Sequence, residues 1–308
     1  MYHENMYYIG VDAGATKTHA ILSDGEEIIA QDIQGPANHR VVGWETATKN
    51  ILLSIKNVIE TVFASDEDLH IFVGMAGVNY DSEKLEAQKK LRPYLKKYSV
   101  RTLHIVNDTL IALRSGTQAK NATVLICGTG SNCYAHNEQG EEVWIDGLDY
   151  ILSDEASGYA IGLKGLHAAT KSMDRRIKKT LIEKLICEKL EVHSMQQAEK
   201  IIYSENWSKK EIAACAYCVF DAAEEGDEAA QHIITEAVHE AILMLETAMR
   251  RLRVRHSECV CVGGLFTEKL FKKEFEHQVH TKQVNVHLSY PTHPPAWGAI
   301  LLAQEIRI

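Results

Sequence analysis

The chain carries one local pattern twice. Slid on itself by 115 positions, VDAGATKTHAILSDGEEII (11–29) falls on ICGTGSNCYAHNEQGEEVW (126–144). Each stretch reads as strand, glycine-rich turn, strand, Gly-Glu-Glu, strand, which is a β-meander. Gly25-Glu26-Glu27 falls on Gly140-Glu141-Glu142, Ala20 on Ala135 and Thr16 on Ser131, with the turn glycines one position apart. A repeated unit of this size predicts two lobes built on one plan. The length of 308 residues agrees, since a domain averages roughly 150 residues.

After the first meander, Trp44, Ala47, Ile51, Ile55, Val58, Ile59 and Val62 recur at spacings of three and four, predicting a helix from Trp44 to Phe63. HIFVGMAGV (70–78) reads as a buried strand, DSEKLEAQKKLRPYL (81–95) as a charged helix capped by Asp81 or Ser82, and VRTLHIVND (100–108) as a strand. The first lobe is therefore βββαβαβ. Beyond residue 155 the pattern is mostly helical to Arg253, with a break at Glu224-Glu225-Gly226-Asp227. SECVCVGG (257–264) returns to strand, a helix follows from about Thr267, VNVHL (284–288) is a strand, and PPAWGAILLAQEI closes as a helix.

Composition narrows the class of partner. The formal charge of −9 argues against a nucleic-acid footprint and favours a small ligand. No apolar run approaches the roughly 18 to 20 residues that cross a bilayer, and MYHENMYYIG has no basic region followed by an apolar stretch. Seven cysteines spread over a long chain fit reduced thiols, so a cytoplasmic protein is expected. Cys215-x-x-Cys218 falls in a helical, alanine-rich stretch and Cys259-x-Cys261 alternates with valines in a strand, which suits packing better than zinc or cluster ligation. No HExxH pattern and no nucleophile elbow occur.

The turns carry the chemistry. In DAGATKT, a glycine-rich turn offers consecutive backbone N–H groups to an anion, Thr16 and Thr18 add hydroxyl donors and Lys17 adds charge. Asp12, at the end of the preceding strand, is placed to hold Mg²⁺ beside a phosphate. Gly128-Thr129-Gly130-Ser131-Asn132 offers the same equipment in the second lobe, so the pair is expected to grip a polyphosphate from both sides. The alternative is two plain hairpin turns. Neither turn has P-loop spacing, and no GxGxxG opens a helix after the first strand. Gly263-Gly264, after the strand CVCV, lets backbone approach a flat ligand such as adenine, or serves only as a tight strand-to-helix turn.

Asp108 follows the strand LHIVN and precedes TLIALRS. At a strand's carboxyl end it can face a ligand crevice and accept a hydroxyl proton as general base. Position alone equally allows it to be the helix N-cap. Asp154 and Glu155 in LSDEASGY leave the same pair of readings open, helix cap or binder of sugar hydroxyls.

GVDAGATKT, PANH, VNDT, ICGTGSN, LSDEASGY and VCVGGLF, in this order and spacing, resemble the BadF/BadG-type ATPase family and, within it, the N-acetylglucosamine kinases of the sugar kinase, actin and heat-shock chaperone superfamily. The resemblance runs over about residues 8 to 304. It implies an α/β fold of two duplicated actin-like (ribonuclease H-like) lobes around a central ATP cleft, the second lobe with extra helices. The lobes are expected over 1–117 and 118–293, with a C-terminal helix at about 294–308 packing back on the first. Gly14, Ala15, Thr16, Lys17 and Thr18 would form one phosphate turn and Gly128, Thr129 and Gly130 the other, with Gly263 and Gly264 at adenosine. Asn38, His39, Gly77, Ser131, Asn132, Gly147 and Asp154 would contact the sugar, and Asp108 would be the catalytic base.

One departure stands out. The family's Gly-Trp-Gly is Gly147-Leu148-Asp149 here, and Gly-Asp-Glu-Gly-Ser is Ser153-Asp154-Glu155-Ala156-Ser157. A lost aromatic wall and an added carboxylate should reshape the sugar pocket. The resulting expectation is ATP- and Mg²⁺-dependent phosphorylation of a hydroxyl of an amino sugar (N-acetylglucosamine, glucosamine or N-acetylmuramic acid), in a protein that relatives suggest is a homodimer. Two other classes remain open: an ATPase that activates a partner enzyme, and a non-catalytic sugar or nucleotide sensor.

Overall fold

The computed structural model describes residues 6–62 and 68–306; Phe63 and the first five residues, on which part of the reading above rests, lie outside them. The chain divides into two compact units, one running to Gln118 and resuming at Tyr290, the other spanning Ala119–Ser289.

In the first unit, β1 (Met6–Ala13), β2 (Thr18–Ser23) and β3 (Ile28–Gln34) form the meander. They are followed by α1 (His39–Val62), β4 (Asp68–Met75), α2 (Asp81–Leu95), β5 (Val100–Asn107) and α3 (Asp108–Arg114). The sheet order is β3-β2-β1-β4-β5, antiparallel within the meander and parallel from β1 through β4 to β5. Every residue of β2 is buried, as are seven of the eight in β4. Such continuous burial belongs to a sheet covered on both faces.

One face packs Ile9, Val11, Ile71 and Val73 against Ile51, Ile55 and Val58 of α1 and Leu91 of α2. The other packs Tyr8, Ile21 and Phe72 against Ile111 of α3 and Ala296, Ala299 and Ile300 of α11 (Pro295–Glu305). Burying each large aliphatic side chain contributes about 1.5–3 kcal/mol. Two glycines let α11 sit this close: a Cβ on Gly10 would lie 2.1 Å from Ala296 O, and one on Gly298 1.9 Å from Ile111 O.

Helix α1 is broken at Gly43 (φ 75, ψ 160), so its regular part begins at Trp44, where the apolar period starts. The expected cap of α2 is corrected. Asp81 is already helical, Tyr80 holds the N-cap position, and Glu83 reaches back to accept the Tyr80 amide at 3.0 Å and the Asn79 amide at 2.8 Å.

The second unit repeats the plan. β6 (Ala122–Cys127), β7 (Ser131–His136) and β8 (Glu142–Asp146) form its meander, joined in parallel by β9 (Ser257–Val262) and β10 (Val286–Ser289), in the order β10-β9-β6-β7-β8. Read from the meander edge, both sheets have the same topology. The turn in the first meander is one residue longer, because Ala13 pairs with Thr18 whereas Cys127 pairs with Ser131. Thr18, and not Thr16, is therefore the counterpart of Ser131, which corrects the fixed-offset match.

Between β8 and β9 come α4 (Gly158–Met173), α5 (Leu181–Lys189), α6 (Met195–Ser204), α7 (Lys209–Ala214), α8 (Ala216–Glu224) and α9 (Glu228–Arg251). The break between α8 and α9 falls at Glu225-Gly226-Asp227, where Gly226 takes φ +87 and Asp227 caps α9 by accepting the Ala230 amide at 3.0 Å. A short 3-10 turn (Gly264–Thr267) and α10 (Lys269–Thr281) lead to β10. Cys215, Cys218, Cys259 and Cys261 are all buried. No helix of the described residues is long and apolar enough to cross a membrane.

Candidate functional site

In the first unit the loops after β1, β3, β4 and β5 emerge at one end of the sheet, the carboxyl end of these four strands. The turn after β1 is closed by the Gly14 amide donating to Lys17 O at 2.9 Å, which leaves Ala15, Thr16 and Lys17 exposed. Ala37 N donates to Gly14 O and Ala76 N to Ala13 O, both at 2.9 Å, tying the neighbouring loops to this turn. Thr18 is a correction to the expected phosphate donors. It is fully buried and its hydroxyl donates to Gly35 O at 2.8 Å, so it anchors the turn from behind.

Asp108 lies where β5 passes into α3. Asn107 takes the N-cap position, its Oδ1 accepting the Thr109 amide at 3.0 Å, while the Thr109 and Asp108 amides also act on the Asp108 carboxyl. The same side chain donates through Nδ2 to Asn79 Oδ1 at 3.0 Å and Val78 O at 3.2 Å, fixing the start of α3 to the loop after β4. Burial pushes the Asp108 carboxyl up to about 6. Asp12 is pushed up to about 7, first by burial and then by the Asp108 charge, with Lys17 opposing. Two half-buried carboxyls that repel each other are a donor set a divalent cation would satisfy, and Mg²⁺ takes one or two carboxylates together with phosphate oxygens.

Asn38 and Gly77 pack together, with His39 next in the chain. Asn38 Oδ1 accepts the Arg40 amide at 3.0 Å and packs so closely that a Cβ on Gly77 would lie 2.5 Å away. Gly77 also takes φ +81, a conformation that disfavours other residues, and its carbonyl accepts Arg40 Nε at 2.9 Å. His39 stacks on Trp44 with ring centroids 4.0 Å apart and planes 18° apart.

In the second unit, the Gly128 amide donates to Gly130 O at 2.9 Å to close the turn. Gly263 (φ +107) abuts it, since a Cβ there would lie 2.3 Å from Cys127 O, while a Cβ on Gly264 would meet nothing. The N-terminus of α4 docks on the same turn, Gly158 N donating to Gly128 O at 2.8 Å and Tyr159 N to Thr129 O at 3.2 Å. Ser157 caps α4 by accepting the Ala160 amide, so neither Asp154 nor Glu155 is the cap.

Asp154 is 2% exposed and faces the turn. Its Oδ1 accepts the Ser131 amide at 2.8 Å and its own amide donates to Asp146 Oδ1 at 2.9 Å. Ser131 Oγ donates to Asp146 Oδ2. Asn132 packs against Gly147, where a Cβ would come within 2.7 Å of its amide nitrogen, and its Oδ1 is buried without a partner among the described residues.

Lys209, at the start of α7, was not singled out by the sequence. Its Nζ donates to Asp149 Oδ1 at 2.7 Å and forms a close ion pair with Asp154 Oδ2, an oxygen that has no other partner among the described residues. The ammonium also sits over the turn: a Cβ on Gly130 would lie 2.8 Å from Lys209 Nζ and 2.9 Å from Asp154 Oδ2. Burial works against the Lys209 charge, but Asp149 and Asp154 outweigh it and hold the ammonium above its ordinary range. Burial likewise acts to raise Asp149, and the Lys209 hydrogen bond brings it below the usual carboxylate range. Asp146, Asp149 and Asp154 all take φ near +70° (68°, 69° and 76°). Non-glycine residues enter that region at a cost of about 1–3 kcal/mol and do so preferentially at functional sites.

Comparison with known proteins agrees with this architecture. The curated N-acetylmuramic acid/N-acetylglucosamine kinase of Clostridium acetobutylicum is 29% identical over 306 residues, covering 97% of this chain and 98% of its own. The N-acetyl-D-glucosamine kinase of Dictyostelium discoideum is 29% identical over 319 residues, covering 96% and 97%. Among solved structures, a glucokinase from Streptomyces griseus, in complex with glucose and AMPPNP, superposes with a TM-score of 0.63 at 15% identity, covering 97% of this chain and 99% of its own, and so shares the fold. Residues 9–303 match the BadF/BadG/BcrA/BcrD ATPase family, and the chain belongs to that family.

Proposed function

We propose that the protein is an ATP-dependent kinase that phosphorylates a hydroxyl group of an amino sugar, with Asp108 as general base. The observation that carries this reading is that Asn107, and not Asp108, holds the N-cap position, which sets a half-buried carboxyl at the carboxyl end of a parallel strand. The near-full-length likeness to two curated amino-sugar kinases supports the substrate class.

Asp108 accepts the proton of the attacking hydroxyl as its oxygen bonds to the γ-phosphorus and ADP departs. The amides of the Gly14–Lys17 and Gly128–Gly130 turns, with Thr16, Lys17 and Thr129, donate to phosphate oxygens. Gly263 lets the backbone come close to adenosine. Asn38, His39, Gly77, Ser131, Asn132, Gly147 and Asp154 hold the sugar, with Lys209 and Asp149 orienting Asp154. Asp12 would hold Mg²⁺, which offsets charge on the β- and γ-phosphates.

A coupled ADP-release assay over glucosamine, N-acetylglucosamine, N-acetylmuramic acid and glucose, with and without Mg²⁺, tests the proposal. Sugar-stimulated, Mg²⁺-dependent ADP release is expected with at least one amino sugar. ATP hydrolysis indifferent to all four would overturn it.

A further inference from the structure

The proposed function places His39 at the sugar without saying what its ring does there, and the surroundings of that ring specify it. The His39 side chain is 9% exposed and its two nitrogens face different groups. Nε2 lies 3.7 Å from Glu83 Oε1, longer than a hydrogen bond yet close enough for the carboxylate to favour a proton on that nitrogen. Nδ1 is buried and has no partner among the described residues. A buried, unpaired ring nitrogen is costly unless a ligand completes it.

Glu83 is built to hold that arrangement. Its Oε2 accepts the amides of Asn79 at 2.8 Å and Tyr80 at 3.0 Å, while Oε1 accepts Arg40 Nη2 at 2.7 Å and faces His39. Burial alone would push this carboxyl up, but the two amides and the Arg40 guanidinium outweigh it and hold it below the usual range. The charges acting on the imidazole are Glu83, Arg40 and Glu86, and burial dominates them, lowering its affinity for a second proton. Trp44, stacked at 4.0 Å, fixes the ring plane, and Lys90 Nζ lies 5.7 Å from the Trp44 ring.

We propose that Glu83 is a positioning residue that fixes the His39 proton on Nε2, so that Nδ1 is presented as a hydrogen-bond acceptor for an O–H or N–H group of the sugar. This rests on the amino-sugar reading above for the identity of the ligand. A neutral acceptor here selects a donor group on the substrate and disfavours a carboxylate or phosphate at the same point, which would set lone pair against lone pair. No step of phosphoryl transfer passes through His39.

The discriminating variant is Glu83→Gln. A glutamine that keeps its oxygen on the Asn79 and Tyr80 amides preserves the start of α2, gives up the acceptor for Arg40 Nη2, and sets its NH₂ in front of His39 Nε2. A donor at that position reverses the preference and moves the ring proton to Nδ1.

The test is ¹⁵N NMR of the full-length protein labelled at histidine, with the His39 signals identified by their loss in His39→Asn. The wild type is expected to show the Nε2–H tautomer, with the Nδ1 signal shifting when N-acetylglucosamine is added. Glu83→Gln is expected to move the ring toward Nδ1–H and to raise the sugar KM about fivefold or more with the ATP KM within about twofold, the loss of one hydrogen bond of roughly 1 kcal/mol. A wild-type ring protonated at Nδ1, or a tautomer unchanged in Glu83→Gln, would overturn the proposal. So would an Nδ1 signal unmoved by a sugar that the enzyme turns over. Failure of every sugar in the ADP-release assay counts against the kinase reading instead, and the tautomer pair in the free protein still decides the role of Glu83.

Discussion

Asn107 accepts the Thr109 amide at 3.0 Å and thereby performs the capping that would otherwise fall to Asp108. Two residues favoured as helix caps stand side by side, and the first takes the N-cap position. Asn107→Ala should cost about 0.5–2 kcal/mol of stability, read by urea denaturation. Because Asp108 is then the nearest group able to cap, kcat should fall roughly tenfold, a share of the 10²–10⁴ that a positioned base supplies. A stability loss with unchanged kcat would show that the cap and the base are independent.

Asp12 and Asp108 set the response to pH. Their carboxyls are raised to about 7 and about 6 in the folded chain, above the ordinary 3.8 of the unfolded one. The folded state therefore binds more protons than the unfolded state between about pH 4 and 7, and stability falls as pH rises through that window. Asp12→Asn removes its part of the penalty. In Mg²⁺-free buffer this variant should melt higher than wild type at pH 8, the difference shrinking toward pH 4. A variant that melts lower at pH 8 would contradict the repulsion. In the active enzyme, kcat/KM should fall on acidification through about pH 6 as Asp108 protonates.

Thr16 and Thr18 lie two residues apart with different surroundings. Thr18→Val removes a buried hydrogen bond to Gly35 O and should cost on the order of 1 kcal/mol while leaving the ATP KM unchanged. Thr16 is exposed in the turn, so Thr16→Ala should raise the ATP KM severalfold at near-constant melting temperature. The reverse pattern would exchange their roles.

Lys209 links Asp149 to Asp154. Lys209→Met should raise the sugar KM about tenfold, a loss of about 1.4 kcal/mol, with the ATP KM within about twofold. Lys209→Arg, which keeps the charge and adds donors, should recover part of that. Equal losses in both KM values would make Lys209 a structural tie.

The fold was legible where the sequence repeats or keeps a regular period. The two meanders, the α1 stripe from Trp44 and the break at Gly226 depend on local spacing and turn chemistry, and each appears as an element in the structure. What was not legible depends on contact. Lys209 meets Asp149 across 60 residues, and no local pattern relates them. Adjacent Asn107 and Asp108 are both good caps, and only the backbone decides between them. Thr16 and Thr18 are chemically identical, and the extra residue in the first turn decides which is buried. The signal that could have located the second-unit site is its run of aspartates, Asp146, Asp149 and Asp154, now seen in left-handed conformations.

The most direct measurement is the kinetics of Asp108→Asn with the best amino sugar, beside its ATP dissociation constant. The account predicts that kcat falls by about 10²–10⁴, the contribution of a general base, while ATP binding stays within about twofold of wild type. A variant that retains wild-type kcat would show that the hydroxyl loses its proton elsewhere.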